Sequence, residues 1–176
     1  MADFCDPEKA LSYLKLKENM IGADFGSGSG GWTIPLAQKL SNGRVYAIDV
    51  LEEELSALEG RIKLLGLNNI EKILSNLEME EGSKLPEMSC DVVLMTNLLF
   101  QVENKETVLR EAYRVLKDNG QLLVVDWETT SPFGPTSEQR VPSFKVKELA
   151  EKIGFKLEKE FPAGDYHYGL VFIKNK

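Results

Sequence analysis

The sequence contains few of the residues that form disulfide bonds or bind metal ions. Its 176 residues include only two cysteines and one histidine. Cys5 and Cys90 are too few for a disulfide framework and too far apart for a C-x-x-C metal pair. We therefore expect no metal site and reduced thiols, which is the usual state of cysteine in the cytoplasm.

Long apolar runs and clusters of basic residues are also missing. No apolar stretch approaches the roughly 20 residues that span a bilayer, and the first residues lack the pattern of a signal peptide. The net charge is −7 and the lysines are scattered, which argues against a nucleic-acid partner. These absences predict a cytoplasmic protein without membrane contact.

Helical and strand patterns alternate along most of the chain. Apolar or alternating runs predict strands at 20–25, 44–49, 70–75, 90–96 and 121–127. Residues at helical spacing predict helices at 7–15, 31–41, 51–65 and 104–116. This alternation predicts an α/β fold with parallel strands and helices on both faces of the sheet.

The pattern changes near the end of the chain. Residues 128–144 contain three of the seven prolines and show no period. A helix is predicted at 145–153, followed by alternating strands at 155–161 and 165–173. The short connection between these strands predicts a hairpin, so this part of the sheet should be antiparallel.

A glycine-rich loop, A-D-F-G-S-G-S-G-G, follows the first predicted β-strand and can be interpreted in two ways. Gly26, Gly28 and Gly31 spell G-x-G-x-x-G, the dinucleotide fingerprint. The alternative is D-x-G-x-G-x-G, formed by Asp24, Gly26, Gly28 and Gly30. A carboxylate at Asp24 repels a pyrophosphate and attracts a cationic ligand, which favours the second interpretation.

Other polar residues follow the remaining strands of the predicted parallel sheet. Asp49 ends the second strand, where a carboxylate can accept hydrogen bonds from both hydroxyls of a ribose. Asn76 and Asn97 follow the third and fourth strands. Because ligands bind beyond the carboxyl ends of parallel strands, these residues predict a nucleoside-containing cofactor.

At this point the chain resembles the class I S-adenosylmethionine-dependent methyltransferases, near the ubiquinone/menaquinone C-methyltransferases. Five stretches within residues 20–127 occur in the family's order and spacing, and the tail is similar too. They are A-D-F-G-S-G-S-G-G, V-Y-A-I-D, L-G-L-N-N-I-E-K-I-L-S-N-L-E, C-D-V-V-L-M-T-N-L-L and L-R-E-A-Y-R-V-L-K-D-N-G-Q-L-L-V-V-D-W.

The resemblance implies a Rossmann-like three-layer sandwich with a mostly parallel seven-stranded sheet, order 3-2-1-4-5-7-6, and an antiparallel last strand. It implies one methyltransferase domain over residues 1–176. Within it we expect a helical N-terminal segment (1–19), a cofactor-binding core (20–127) and a substrate-side loop with a C-terminal hairpin (128–176).

The resemblance also assigns the cofactor residues, with S-adenosylmethionine as cofactor and S-adenosylhomocysteine as product. The methionine portion would be held by Asp24, Gly26, Ser27, Gly28 and Gly30, with Asn97 and Leu98 at the transferred methyl. The ribose and adenine would be held by Asp49, Val50, Asn76 and Leu77. Asn76 departs from the family's usual Asp, although an amide oxygen can also accept a hydrogen bond.

Catalytic residues are less defined by the sequence. Direct methyl transfer depends on positioning and needs no protein nucleophile, and a base is needed only for a protonated acceptor. Asp126 and His167 are the candidates for such a polar role. The proline-rich segment 130–140 could cover an acceptor, with Arg140 as an anchor for an anionic group.

The sequence is compatible with several functions. We expect methyl transfer to an unidentified small-molecule acceptor by a monomer or homodimer. The alternatives are a protein or RNA methyltransferase, a subunit that binds S-adenosylmethionine without turnover, and an NAD-dependent oxidoreductase. T-N-L-L stands where methyltransferases of nucleic-acid bases carry N-P-P-Y, and Asp24 disfavours NAD.

Overall fold

The computed structural model describes residues 5–175, which form five helices and seven strands. The strands are β1 (Ile21–Phe25), β2 (Arg44–Asp49), β3 (Ile70–Leu74), β4 (Cys90–Thr96), β5 (Leu116–Trp127), β6 (Phe155–Pro162) and β7 (His167–Lys174). The helices are α1 (Pro7–Leu11), α2 (Thr33–Lys39), α3 (Glu52–Leu65), α4 (Lys105–Val115) and α5 (Ser143–Ile153).

All seven strands belong to one sheet with the order β3-β2-β1-β4-β5-β7-β6. The pairs among β1 to β5 are parallel, whereas β7 runs antiparallel to both β5 and β6. The predicted fold class and strand order are therefore confirmed. Because the first five strands point the same way, the residues that follow them meet at one edge of the sheet, called here the carboxyl edge.

Helices cover both faces of the sheet because alternate strand residues are apolar on each side. On one face, α4 and α5 pack their buried residues, such as Val108 and Val146, against Met95 and Phe172. On the other face, α1 and α2 cover a second cluster that includes Leu123. Within residues 5–175, no helix is long and apolar enough to cross a membrane.

Helix ends largely follow local signals. The Asp6 carboxylate accepts a hydrogen bond from the Glu8 N–H at 2.9 Å and so forms the N-cap of α1. Gly66 ends α3 as its C-cap, with a left-handed φ of 65°. However, α1 stops at Leu11 instead of residue 15, and α2 is shorter than the predicted 31–41.

Residues 117–120, between the predicted helix at 104–116 and the predicted strand at 121–127, form a bulge within β5. The pairing with β4 jumps from Cys90 opposite Leu116 to Val92 opposite Gln121, so extra β5 residues face Asp91. Asn119 takes up the excess length with a left-handed φ of 63°. The D-N-G stretch at residues 118–120 thus lies inside a continuous strand.

Candidate functional site

The glycine loop between β1 and α2 is tied to the neighbouring strand through its backbone. The N–H groups of Gly26 and Ser27 both donate to the carbonyl of Ile48, at 2.9 and 3.0 Å. Ser27 is buried, and its hydroxyl lies 3.4 Å from the Gly28 carbonyl oxygen. The loop is therefore a fixed part of the carboxyl edge.

The backbone angles identify which glycines the loop requires. Gly26, Gly28 and Gly30 have φ of 75°, 50° and 92°, a region that residues with a Cβ rarely occupy. A Cβ at Gly30 would lie 2.4 Å from the Leu58 side chain, whereas Gly31 has open space around it. The loop therefore follows the D-x-G-x-G-x-G interpretation, because the last glycine of G-x-G-x-x-G has no steric role.

Asp49 holds the loop from the end of β2. One carboxylate oxygen accepts from the Gly28 N–H at 2.8 Å, and the other accepts from the Leu51 N–H at 3.0 Å. The side chain is 9% exposed and lines the adjoining cleft. Each carboxylate oxygen can accept a further hydrogen bond, so Asp49 retains capacity for ligand hydroxyls.

A cleft of about 300 Å³ opens at the carboxyl edge. Six predicted cofactor residues line it, namely Gly26, Gly28, Asp49, Val50, Asn76 and Leu77. Leu98, which the resemblance placed at the transferred methyl, lines it as well. Sequence reasoning missed six further lining residues, which are Leu51, Glu54, Ser75, Glu78, Gln101 and Val102. The signal that could have found Glu54 and Gln101 is their position shortly after Asp49 and Asn97.

Asn76 and Leu77 form the wall next to β3. The Asn76 side-chain oxygen accepts from the Glu78 N–H at 2.9 Å, which stabilises a turn. Leu77 is buried, and its N–H has no hydrogen-bond partner within residues 5–175. A free backbone donor beside an apolar wall fits the edge of an adenine ring.

Asp24 lies beneath the glycine loop and outside the cleft lining. It is fully buried, and its Oδ2 accepts from the Thr33 hydroxyl at 2.7 Å. Its Oδ1 has no partner in the described residues. Burial raises the pKa of Asp24 to about 7, and the nearby Asp49 charge adds to this, whereas the Thr33 hydrogen bond partly opposes it.

The turn after β4, residues 97–101, forms the opposite wall. Asn97 adopts a left-handed φ of 53°, and its N–H donates to the Val125 carbonyl at 2.8 Å. Its side-chain Oδ1 is buried without a partner in the described residues. Leu98 follows it and sits directly under Gly26, where a Cβ would approach within 2.8 Å. The turn is therefore packed against the glycine loop.

The two catalytic candidates, Asp126 and His167, are both buried at the carboxyl edge. Asp126 accepts hydrogen bonds from the backbone N–H groups of Leu99 and Trp127, at 3.0 and 2.8 Å. The His167 ring lies 4.1 Å from the Trp127 ring, and neither of its nitrogens has a partner in the described residues. Burial lowers the pKa of His167. Neither side chain lines the cleft.

The segment after β5 folds back over the sheet edge. Arg140 donates from its guanidinium to the carbonyls of Thr129, Phe133 and Pro135, at 2.9, 3.1 and 3.0 Å. Gly134 lies so close to Trp127 that a Cβ would be 2.7 Å from its ring. Arg140 thus braces the loop, which differs from the expected role of an anchor for an anionic group.

The charges around the cleft select among ligands. Three carboxylates line it, from Asp49, Glu54 and Glu78. Such a lining repels the two negative charges of a pyrophosphate and suits a ligand with positive charge. No group of three possible metal ligands occurs in the described part of the chain. The free donor at Leu77, the acceptors at Asp49 and the glycine cradle fit a cationic nucleoside such as S-adenosylmethionine.

Comparison with known proteins agrees with this geometry. The methyltransferase-domain family model matches residues 16–165. The demethylmenaquinone methyltransferase of Listeria welshimeri is 29% identical over 140 residues, or 78% of this chain and 54% of that protein. The chain thus spans about half the length of the curated relatives it matches.

Solved structures show the same fold. A SAM dependent methyltransferase from Aquifex aeolicus aligns with a TM-score of 0.88 at 29% identity, covering 97% of this chain and 90% of that one. The [4+2]-cyclase SpnF aligns with a TM-score of 0.83 at 14% identity, covering 96% and 79%, which shows the fold alone. With the family match over most of its length, this chain belongs to the class I S-adenosylmethionine-dependent methyltransferases.

Proposed function

We propose that the protein binds S-adenosylmethionine in the cleft at the carboxyl edge and transfers its methyl group directly to a small-molecule acceptor. The observation that carries this proposal is the combination of three left-handed glycines with an acidic cleft. The glycines allow the backbone to approach the ligand closely. The carboxylates favour a cation over a dinucleotide.

The residues around the cleft suit the parts of this cofactor. Asp49 would accept from the ribose hydroxyls, since it keeps acceptor capacity beside the Gly28 N–H. Val50, which is 60% exposed, and Leu77 would enclose the adenine ring. Asn97 would face the methionine end with its unpartnered Oδ1.

Asp24 would act on the cofactor through its charge. It lies below the loop with one free oxygen, so an ammonium or sulfonium above it would favour the ionised carboxylate. Thr33 holds the other oxygen in place. Asp24 would thus contribute attraction for positive charge without forming part of the cleft wall.

The cofactor supplies an electrophilic methyl group on a sulfonium, and the protein would hold this methyl group in position for the acceptor. The two walls, at Asn76–Leu77 and at Leu98–Gln101, would fix the cofactor and exclude water from its apolar side. Asp126 and His167 are both buried outside the cleft lining. We therefore assign neither the role of general base, and the proposed catalysis rests on orientation and proximity.

A small-molecule acceptor is the substrate class with most support. The chain carries a net charge of −7, which disfavours nucleic acid. The curated relatives are named as demethylmenaquinone methyltransferases, enzymes whose named substrate is a small molecule.

Calorimetric titration with S-adenosylmethionine, S-adenosylhomocysteine and NAD tests the proposal. We expect the first two to bind and NAD to give no heat of binding. Asp49→Asn should lose about tenfold or more in affinity for S-adenosylmethionine, since one carboxylate acceptor and the charge are removed. The matched control is Glu53→Gln, which removes a charge from an exposed position on α3.

Three outcomes would count against the assignment. Binding of NAD alone would reject the cofactor, and an unchanged affinity in Asp49→Asn would reject the ribose contact. A screen of metabolites with S-adenosylmethionine labelled in its methyl group then tests turnover. Tight cofactor binding without label transfer to any metabolite, peptide or RNA would favour a subunit that binds without catalysis.

A further inference from the structure

Asp126 is a buried carboxylate that holds the wall of the cleft from behind. Its side chain is 0% exposed at the end of β5. Oδ2 accepts from the Leu99 N–H at 3.0 Å, and Oδ1 accepts from the Trp127 N–H at 2.8 Å. The first of these bonds fixes the turn after β4, and the second fixes the point where the chain leaves β5.

The turn that Asp126 holds carries part of the cofactor cleft. Leu98 and Gln101 both line the cleft. The Gln101 side chain donates to the Asn97 carbonyl at 2.6 Å, which closes the turn on itself. Leu98 packs under Gly26, so a displacement of Leu99 moves the wall against the glycine loop.

Only an ionised carboxylate satisfies both backbone donors. An asparagine or a protonated carboxyl offers one good acceptor and places a hydrogen where the second N–H points. Burial nevertheless disfavours the charge and raises the pKa of Asp126 to about 6, although the N–H groups of Trp127, Leu99 and Phe100 partly oppose this. The fold therefore keeps a charged group here at a cost in stability.

We propose that the ionised Asp126 is a positioning residue for cofactor binding, which acts through the Leu99 N–H on the cleft wall at Leu98. It does not touch the cofactor, and it is not the general base. This inference rests on the proposed function, because the cleft must be the cofactor site. It gives the buried charge a role beyond stability.

Two other ionisable groups interact with Asp126. Tyr168 lies opposite it on β7, and its hydroxyl donates to the Val141 carbonyl at 2.7 Å. Burial, with the charges of Asp126 and Glu128, raises the pKa of Tyr168, so it stays neutral below pH 8. Lys105 at the beginning of α4 acts on Asp126 through its positive charge.

Affinity for S-adenosylmethionine, measured by calorimetry from pH 5 to pH 8, tests the proposal on the intact chain. We expect Asp126→Asn to bind about tenfold more weakly at pH 7.5, the effect of one charge-assisted hydrogen bond. We also expect wild-type affinity to fall below about pH 6, as Asp126 takes up a proton, and this step to be absent from the variant. Asp24 is present in both proteins, so their difference isolates Asp126.

The matched control is Asp91→Asn. Asp91 also accepts a backbone hydrogen bond, from the Ile21 N–H at 2.8 Å, but at the opposite edge of the sheet. The Asp91→Asn variant should bind S-adenosylmethionine with wild-type affinity and should show the same fall in affinity near pH 6. Equal affinity and equal pH profiles of wild type and Asp126→Asn would overturn the proposal. Failure of the wild type to bind at any pH would instead reject the proposed function.

A second variant covers the case in which Asp126→Asn does not fold. Leu98→Ala removes the side chain through which Asp126 acts and leaves the carboxylate in place. We expect an affinity several-fold below that of the wild type and a smaller fall below pH 6, because the side chain that Asp126 positions is no longer present. Wild-type affinity in Leu98→Ala would overturn the proposal as well.

Discussion

The Asp49 carboxylate accepts a hydrogen bond from the Gly28 N–H across 2.8 Å. This bond joins the end of β2 to the middle of the glycine loop. The second carboxylate oxygen accepts from the Leu51 N–H and so fixes the entry to α3. The loop, the acidic residue and the helix therefore form one unit, and substitutions within this unit should not have additive effects.

Gly30→Ala should destabilise the protein by about 2–4 kcal/mol. The residue has φ of 92°, and a Cβ would lie 2.4 Å from the Leu58 side chain. Left-handed strain and overpacking each cost about 1–3 kcal/mol. Urea denaturation measures the change in the free energy of unfolding.

The neighbouring glycine provides the control for this experiment. Gly31 is exposed, with no atom within 4 Å of a Cβ built there. Gly31→Ala should therefore leave stability within about 0.5 kcal/mol of the wild type. Equal losses at both positions would contradict the D-x-G-x-G-x-G interpretation and restore the dinucleotide fingerprint.

Local signals were sufficient to predict most of the fold. The strands at 44–49 and 90–96 match β2 and β4 residue for residue, because apolar runs bounded by turn residues leave little freedom. The end of α3 follows from Gly66 alone. The strand order was available only through resemblance, since composition and periodicity do not determine which strands pair.

The site was predicted less completely, for tertiary reasons. The sequence indicates that Asp24 follows an apolar run, but only the packing of α2 shows that it is covered by Thr33. The sequence indicates only that Arg140 carries a positive charge. In the structure its guanidinium donates hydrogen bonds to three carbonyl groups of its own loop. Sequence patterns contain no information on burial or on backbone contacts between segments that are distant along the chain.

Asp24 should make the protein less stable as the pH rises. Its pKa is raised from 3.8 to about 7 by burial, so its contribution to stability is complete below pH 3.8 and is lost as the pH rises through 7. Asp24→Asn removes this dependence. The free energy of unfolding of Asp24→Asn minus that of the wild type should therefore increase by about 3 kcal/mol from pH 5 to pH 8.

Denaturation by urea at several pH values measures this difference. Asp118→Asn, at an exposed position within the β5 bulge, should retain the wild-type dependence on pH. If the free energies of unfolding of Asp24→Asn and of the wild type change in parallel with pH, Asp24 does not titrate between pH 5 and pH 8. Binding of a cation above Asp24 should also release protons near pH 7, which calorimetry in buffers of different ionisation enthalpy detects.

Arg140→Ala should loosen the segment after β5 without unfolding the protein. The guanidinium holds the Thr129, Phe133 and Pro135 carbonyls, and its loss should lower the local opening free energy by about 1–2 kcal/mol. Limited proteolysis within residues 129–140 should accelerate about tenfold or more. Arg110→Ala removes only an exposed ion pair with Glu106, so its cleavage rate should match the wild type.

His167→Phe separates a packing role from a catalytic one. His167 is 4% exposed, and neither of its nitrogens has a partner within residues 5–175. Since an unpaired buried polar group costs about 1–3 kcal/mol, a phenyl ring stacked on Trp127 should raise stability at pH 7 by about 1 kcal/mol. Urea denaturation measures this, with His167→Asn as a polar control that should gain nothing.

The pH dependence of His167→Phe provides the second readout. Burial lowers the pKa of His167 below 6.5, so its neutral ring contributes stability above pH 6.5 that is lost as the pH falls through the folded pKa. The variant should therefore resist acid better than the wild type. Cofactor affinity should not change, because His167 does not line the cleft. A large loss of affinity or turnover at unchanged stability would show instead that the imidazole acts on a ligand.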